Sequence, residues 1–152
     1  MTSYELWLFL HIGGAIVWIG GAIAAQIFLA LTQRAGDPAR TAAFGRDVYW
    51  IVTRVFMPTS VIVLASGFAL KADGNWSWSE PFVWLGLVLW VAVAGLAFGY
   101  VTPSLRRVSA QMAVEGPSPA LLAHANRLIV FARLLIVVLV IAVFLMVVKP
   151  GT

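Results

Sequence analysis

The sequence predicts an all-α protein, a four-helix transmembrane bundle with up-down-up-down topology. Of its 152 residues, 62% are apolar and only 11% are charged, which lies outside the usual range of soluble domains. The apolar residues form four runs separated by polar segments, and each run approaches or exceeds the roughly 20 residues that one bilayer crossing needs. Because these runs use most of the chain, we expect a single integral membrane domain over residues 1–152.

The first two runs predict the first two spans. The first run covers residues 6–31 and contains the polar side chains His11 and Gln26. A polar stretch rich in arginine follows it, and we interpret this stretch as a loop. The second run covers residues 48–70, contains Arg54 and Pro58, and is closed by Lys71 and the turn-forming residues after it.

The last two runs predict the third and fourth spans. The third run, residues 82–101, has no charged side chain; it follows Pro81, which a first helical turn tolerates, and we expect it to close at Thr102-Pro103. A polar segment with a break at Gly116-Pro117 comes next. The fourth run, residues 128–148, contains Arg133 and ends at Lys149.

The basic residues indicate the orientation of the spans. Cytoplasmic loops of membrane proteins carry an excess of lysine and arginine. The second loop has only Lys71, whereas the first and third loops hold the arginines Arg34, Arg40, Arg46, Arg106, Arg107 and Arg127. We therefore predict that the first and third loops are cytoplasmic and that both termini lie outside.

Arg54 and Arg133 each lie about six residues inside a predicted span, roughly 9 Å deep. Side chains lean toward the amino-terminal end of a helix, which is cytoplasmic in helices two and four, so both arginines can reach back to the headgroups. Alternatively, they face inward and hold haem propionates or a lipid phosphate, which guanidinium groups bind well.

His11 lies about 10 Å from the outer end of the first span. At heptad spacing it shares a face with Trp7, Gly14 and Trp18, and the small residues of this face favour close packing of a helix or a flat ligand. A polar ring at this depth needs a partner. One interpretation is a hydrogen bond to a carbonyl, hydroxyl or carboxylate on a neighbouring helix; the other is ligation of haem iron or copper.

A second metal ligand must lie at the depth of His11. His124 belongs to the opposite membrane face, which excludes a bis-histidine site. Met146 lies near the outer end of helix four, so a pair of His11 and Met146 is compatible with this depth, and iron held by His11 alone is equally open. We interpret Gly95 and Gly99 in helix three as helix packing residues.

Other classes of function find no support in the sequence. There is no nucleophile elbow, zinc-protease motif or phosphate loop, and no predicted span contains a carboxylate. No cysteine is present, so thiolate metal sites are excluded. The net charge of +4 comes from arginines beside the spans, so we do not expect a nucleic-acid partner.

The segment LHIGGAIVWIGG, residues 10–21, resembles the first-helix signature of a bacterial family of predicted integral membrane proteins. The likeness extends to Phe56-Met57-Pro58, to Ser66-Gly67 and to the segment LMVVKP at residues 145–150, so it covers essentially the whole chain. The first helix is also similar to that of copper resistance D proteins and of the four-helix, haem-containing protoporphyrinogen oxidase. That resemblance implies His11 as a haem ligand, although residues 82–101 lack the histidine that the oxidase has in helix three.

These observations lead to two hypotheses. In the first, the protein binds haem b in the bacterial cytoplasmic (inner) membrane and serves redox or electron transfer; His11 is the axial ligand, and Trp7, Gly14 and Trp18 shape the pocket. In the second, it is a cofactor-free accessory subunit with a role in copper handling or in a larger complex. The lipid bilayer is the expected partner in both, and the glycine faces favour a homodimer.

Overall fold

The protein consists of four long helices with short connections, as a computed structural model of the chain shows. The structure describes residues 2–149, with the side chains of Pro38 and Ala42 excepted. The helices are α1, Ser3–Arg34; α2, Ala39–Asp73; α3, Pro81–Glu115; and α4, Pro119–Val148. No strand occurs among the described residues. All four helices are long and apolar enough to cross a membrane, so the predicted fold class is confirmed.

Antiparallel neighbours build the bundle. The first half of α1 packs along the second half of α2, and the first half of α3 packs along the second half of α4. Further contacts between α2 and α3 and between α1 and α4 close the ring. The arrangement is the predicted up-down-up-down topology, in which an even number of crossings returns the chain to the end where it started.

Polar contacts at one end of the bundle show that the two termini lie together. The Ser3 hydroxyl at the start of α1 donates to Asp73 Oδ2 at the end of α2, at 2.9 Å. The Lys149 ammonium after α4 lies 4.5 Å from the ring centroid of Trp76, which precedes α3. At the other end, Arg106 Nη1 donates to the Tyr49 hydroxyl at 3.2 Å and joins α3 to α2.

The helices extend well beyond the predicted spans at the arginine-rich end, which corrects the expectation of long loops. The first connection is only residues 35–38, where Asp37 caps α2 by accepting from the Ala39 and Arg40 amides. At 35 residues, α2 and α3 are each about 52 Å long, against about 30 Å of hydrocarbon. The hydropathy of the sequence marks where a helix leaves the membrane and not where the helix ends. Arginine and glutamine have high helix propensity, so the helix extends through such residues beyond the membrane.

Two prolines inside the spans are each preceded by a π-helical turn. Val52–Phe56 precedes Pro58, and Ala97–Val101 precedes Pro103. Proline lacks an amide donor and clashes with the preceding turn, and the wider turn accommodates both defects. The Thr102 hydroxyl reinforces the second turn by donating to the Ala97 carbonyl at 2.7 Å. Consequently α3 does not close at Thr102-Pro103, as the sequence suggested, but continues to Glu115.

The core lies at the level of these turns, in the middle of the bundle. A third π-helical turn, Ile16–Gly20 in α1, contributes Trp18, whose ring stacks on Phe98 at a centroid distance of 5.7 Å. Phe56 packs into the same cluster, together with Val93 and Leu135. Large apolar side chains elsewhere are exposed, among them Phe9, Ile16, Phe28, Phe144 and Val147. A soluble protein would bury such side chains, so this exposed surface is the face that contacts the lipid bilayer.

Candidate functional site

His11 is held against α2 by its ring nitrogen Nδ1. This atom lies 2.9 Å from the Val63 carbonyl oxygen and 3.2 Å from the Ser66 hydroxyl. The Ser66 hydroxyl donates in turn to the Ile62 carbonyl at 2.6 Å, so a lone pair of its oxygen faces His11. The partner of His11 is thus a carbonyl and a hydroxyl on a neighbouring helix, which are two of the groups expected from the sequence.

This contact determines the tautomer of a neutral His11. A carbonyl oxygen only accepts hydrogen bonds, so Nδ1 must carry the proton that it shares with Val63. In the neutral imidazole, Nε2 then retains its lone pair. Metal-binding histidines commonly have one ring nitrogen bonded to a backbone carbonyl, because that bond fixes the tautomer and the ring orientation. In this tautomer, Nε2 is the ring nitrogen of His11 that has no proton.

Two glycines bring α1 and α2 close enough for this contact. A Cβ atom on Gly14 would lie 2.8 Å from Val63 Cγ2, and a Cβ atom on Gly67 would lie 3.3 Å from His11 Cε1. Side chains at either position would push the helices apart or displace the ring. Gly14 therefore belongs to the predicted site as a packing residue that brings the Val63 region within reach of His11.

Sequence reasoning missed the α2 side of this site, namely Val63, Ser66 and Gly67. A signal was present, because Ser66-Gly67 lies about as far from the polar segment after α2 as His11 lies from the start of α1. Ser66 is only 1% exposed, which is unusual for a serine on a helix that otherwise meets lipid. Comparing polar positions by depth across antiparallel spans would have predicted this pair.

Two residues lie one helical turn closer to the termini. Trp7 precedes His11 by four residues on α1 and is half-buried. Lys71 follows Gly67 by four residues on α2, and its ammonium lies 4.8 Å from the ring centroid of Trp78. The side of the His11 region that is closer to the termini therefore has an indole on α1 and a cation on α2.

Trp18, which the sequence assigned to a pocket around His11, lies within the π-helical turn Ile16–Gly20. It is 4% exposed in the central core, where it stacks on Phe98. Trp18 is a core residue of the bundle.

Met146 and His11 lie at different helix–helix interfaces of the bundle. The Met146 side chain covers Gly86, where an added Cβ would overlap its terminal methyl group. That contact joins α4 to α3, whereas His11 contacts α2. The structure does not bring these two predicted ligands together. His124 is exposed near the start of α4, at the opposite end from His11, as the topology predicted.

The two arginines of the spans are both exposed, and Arg133 lies far from His11. Arg54 is exposed on α2. Arg133 is exposed on α4, and its Nε donates to Gln26 Oε1 at 3.2 Å. Gln26 follows His11 by fifteen residues on α1, which corresponds to about 22 Å along the helix. This distance exceeds the reach of a propionate on an iron held by His11.

Several other glycines are not packed within the described chain. An added Cβ on Gly13, Gly20, Gly95 or Gly99 would meet no atom within 4 Å. The interpretation of Gly95 and Gly99 as packing residues is therefore wrong for the described bundle, because their face of α3 points away from the other helices. Within residues 2–149, moreover, no three His, Asp or Glu side chains form a cluster that could hold a metal ion.

Comparison with known proteins identifies the family of this chain. No curated protein and no solved structure shows significant similarity to it. A family model described as predicted integral membrane protein (DUF2269) matches residues 5–150, which is nearly the whole sequence and includes all four helices. The chain therefore belongs to the DUF2269 family of predicted integral membrane proteins.

Proposed function

We propose that this protein binds haem b in the bacterial cytoplasmic membrane and serves electron transfer, with His11 as the single axial ligand. The observation that carries the proposal is the hydrogen bond from His11 Nδ1 to the Val63 carbonyl, which leaves the Nε2 lone pair for a metal. When bound, haem supplies one-electron chemistry. The residues of this chain bind and orient it.

The surroundings of His11 support a ligand role. Gly67 offers no side chain beneath the ring, and Ser66 adds a second contact to Nδ1 that restricts ring rotation. Ser66 thereby acts as a positioning residue. A hydrogen bond of this kind raises the basicity of the distal nitrogen, which strengthens its bond to iron.

Lys71 is a better candidate than Arg54 or Arg133 to neutralise a haem propionate. It lies one turn outward from Gly67, about 6 Å along α2, and carries a positive charge at the edge of the membrane. Arg133 lies far along the bundle, beside Gln26. Lys71 would be the residue of this chain that neutralises a propionate when haem is bound.

The resemblance that the sequence suggests between residues 10–21 and the first helix of the haem-containing oxidase would imply the same role for His11. The proposal covers haem binding and electron transfer and assigns no substrate. Between residues 82 and 101, α3 has no charged side chain and no histidine.

The second candidate is a cofactor-free accessory subunit, and one observation favours it. The contacts of His11 with Val63 and Ser66 satisfy a buried polar ring and join α1 to α2, which is a structural role complete in itself. A copper role has less support, since Met146 covers Gly86 at another helix–helix interface.

An absorption spectrum of the purified protein tests the proposal. Cells supplied with a haem precursor should yield a protein with a Soret band, and His11→Ala should abolish that band. His124→Ala is the matched control, because this exposed histidine lies at the opposite end of the bundle. A colourless wild-type protein, or a band that survives His11→Ala, would refute haem ligation by His11. If the wild-type protein is colourless and His11→Ala lowers its unfolding temperature, the result would favour the structural role of His11 in joining α1 to α2.

A further inference from the structure

A groove between α1 and α4 opens toward the lipid. It has a volume of about 350 Å³. Its lining is apolar except for one amide and one guanidinium group and consists of Ile23, Gln26, Ile27, Ala30, Arg133 and Ile136. The groove lies about 22 Å from His11 along α1, so it is separate from the proposed haem site and independent of it.

Arg133 has a positive charge without a compensating anion in the described part of the chain. Its partner there is the neutral amide of Gln26, whose oxygen accepts from Nε at 3.2 Å. A guanidinium group has five N–H donors, so four are left to point into the groove or toward the membrane surface. An isolated charge within a span is costly, and an anion that binds there recovers part of this cost.

The helix faces that line the groove continue toward the arginine-rich end of the bundle. Arg34 follows Ile27 by seven residues on α1, and Asn126 precedes Arg133 by seven residues on α4. Residues at this spacing share a helix face, and both side chains are exposed. The polar end of the groove therefore lies where lipid headgroups begin, and the part of the apolar lining beyond Arg133 lies deeper in the hydrocarbon.

We propose that this groove binds an anionic phospholipid of the leaflet at the arginine-rich end. The Arg133 guanidinium holds the phosphate, for which its planar array of donors is suited, and Gln26 fixes the orientation of that array through Nε. An acyl chain lies along Ile23 and Ile136, on the side of the guanidinium group that faces away from the arginine-rich end. Charge complementarity selects an anionic lipid over a zwitterionic one, since only the former brings a net negative charge.

Arg54 is the matched comparison for Arg133. It is also an exposed arginine in a span at similar predicted depth. It has no hydrogen-bond partner among residues 2–149 and does not line the groove. If lipid phosphate is attracted to any arginine in a span, both residues should contribute to lipid binding. If the groove is a specific site, lipid binding should depend on Arg133 and not on Arg54.

The test measures the unfolding temperature and the number of bound lipids for the full chain in nanodiscs of phosphatidylcholine, with and without phosphatidylglycerol. Phosphatidylglycerol should raise the unfolding temperature of the wild type and of Arg54→Gln. In Arg133→Gln its affinity should fall at least tenfold. Ile27→Trp, at a position 56% exposed, fills the groove without disturbing the core and should also remove the effect, even if Arg133→Gln fails to fold.

Three outcomes would overturn the proposal. Equal losses in Arg54→Gln and Arg133→Gln would indicate unspecific attraction of the lipid to arginine. Equal stabilisation by phosphatidylcholine would remove the selectivity for charge. If inorganic phosphate, in nanodiscs without phosphatidylglycerol, raises the unfolding temperature of the wild type but not of Arg133→Gln, that result would indicate a soluble anion as the ligand.

Discussion

Gly67 lies beneath the imidazole of His11, so that a Cβ atom at position 67 would be 3.3 Å from His11 Cε1. The ring can therefore lie close to α2 and reach the Val63 carbonyl because position 67 has no bulky side chain. The relationship makes Gly67 part of the site, although glycine has no functional group of its own.

Substitutions at Gly67 should consequently act through His11. Gly67→Ala requires the ring to shift by a few tenths of an ångström and should change haem affinity less than threefold. Gly67→Leu should displace the ring from Val63 and lower haem affinity at least tenfold, measured by titrating haem into protein prepared without it. Gly13→Ala is the control, because a Cβ there meets no atom within 4 Å. Unchanged affinity in Gly67→Leu would contradict this account of the site.

Gly20 and Gly21 are adjacent in sequence but should respond to alanine in opposite directions. A Cβ on Gly21 would lie 2.5 Å from Phe56 Cε1, and that ring is fixed in the core, so Gly21→Ala should destabilise the bundle by about 1–3 kcal/mol. A Cβ on Gly20 meets nothing, so Gly20→Ala should stabilise it by about 0.5–1 kcal/mol. Reversible unfolding in mixed micelles measures the stability of both variants. Equal effects of the two substitutions would show that α1 and α2 are not closely packed at Gly21.

Trp90 joins α3 to α2 by donating from Nε1 to the Ser60 carbonyl at 3.0 Å. Trp90→Phe removes the donor and should cost about 1 kcal/mol in the free energy of unfolding. Trp84→Phe should cost less than half of that, because Trp84 is 46% exposed and faces lipid. Similar losses in the two variants would mean that this hydrogen bond contributes little to the stability of the bundle.

Single cysteines can test the orientation, because the chain has none of its own. Ser77→Cys lies in the connection before α3, on the end that holds the termini, and should react with an impermeant maleimide in intact cells. Ala35→Cys and Val114→Cys lie at the arginine-rich end and should react only after the membrane is opened. Labelling of Ala35→Cys in intact cells would reverse the predicted orientation.

The number and order of the spans could be predicted from the sequence because hydrocarbon imposes one simple requirement. Each crossing needs a long apolar run, and the runs 6–31, 48–70, 82–101 and 128–148 each lie within one observed helix. The ends of the helices could not be predicted in this way. Outside the membrane, helix termini depend on caps such as Asp37 and on the glycine and prolines of the break at residues 116–119.

The site was only partly predictable. His11 was identifiable by itself, since a histidine in an apolar span is costly and demands a partner. Which partner it has depends on the register between α1 and α2, which Gly14 and Gly67 determine through their close contacts. That Trp18 stacks on Phe98 in the core depends on how α1 and α3 pack against each other, which sequence periodicity does not specify.

By itself, then, the sequence determined the membrane-spanning class, the four crossings and the importance of His11, because these follow from the cost of polar groups in hydrocarbon, which acts on each residue locally. Only the tertiary structure decided that His11 contacts Val63 and Ser66, that Met146 covers Gly86, and that Arg133 pairs with Gln26. These pairings depend on how helices far apart in sequence are rotated and shifted against one another, which local periodicity does not specify.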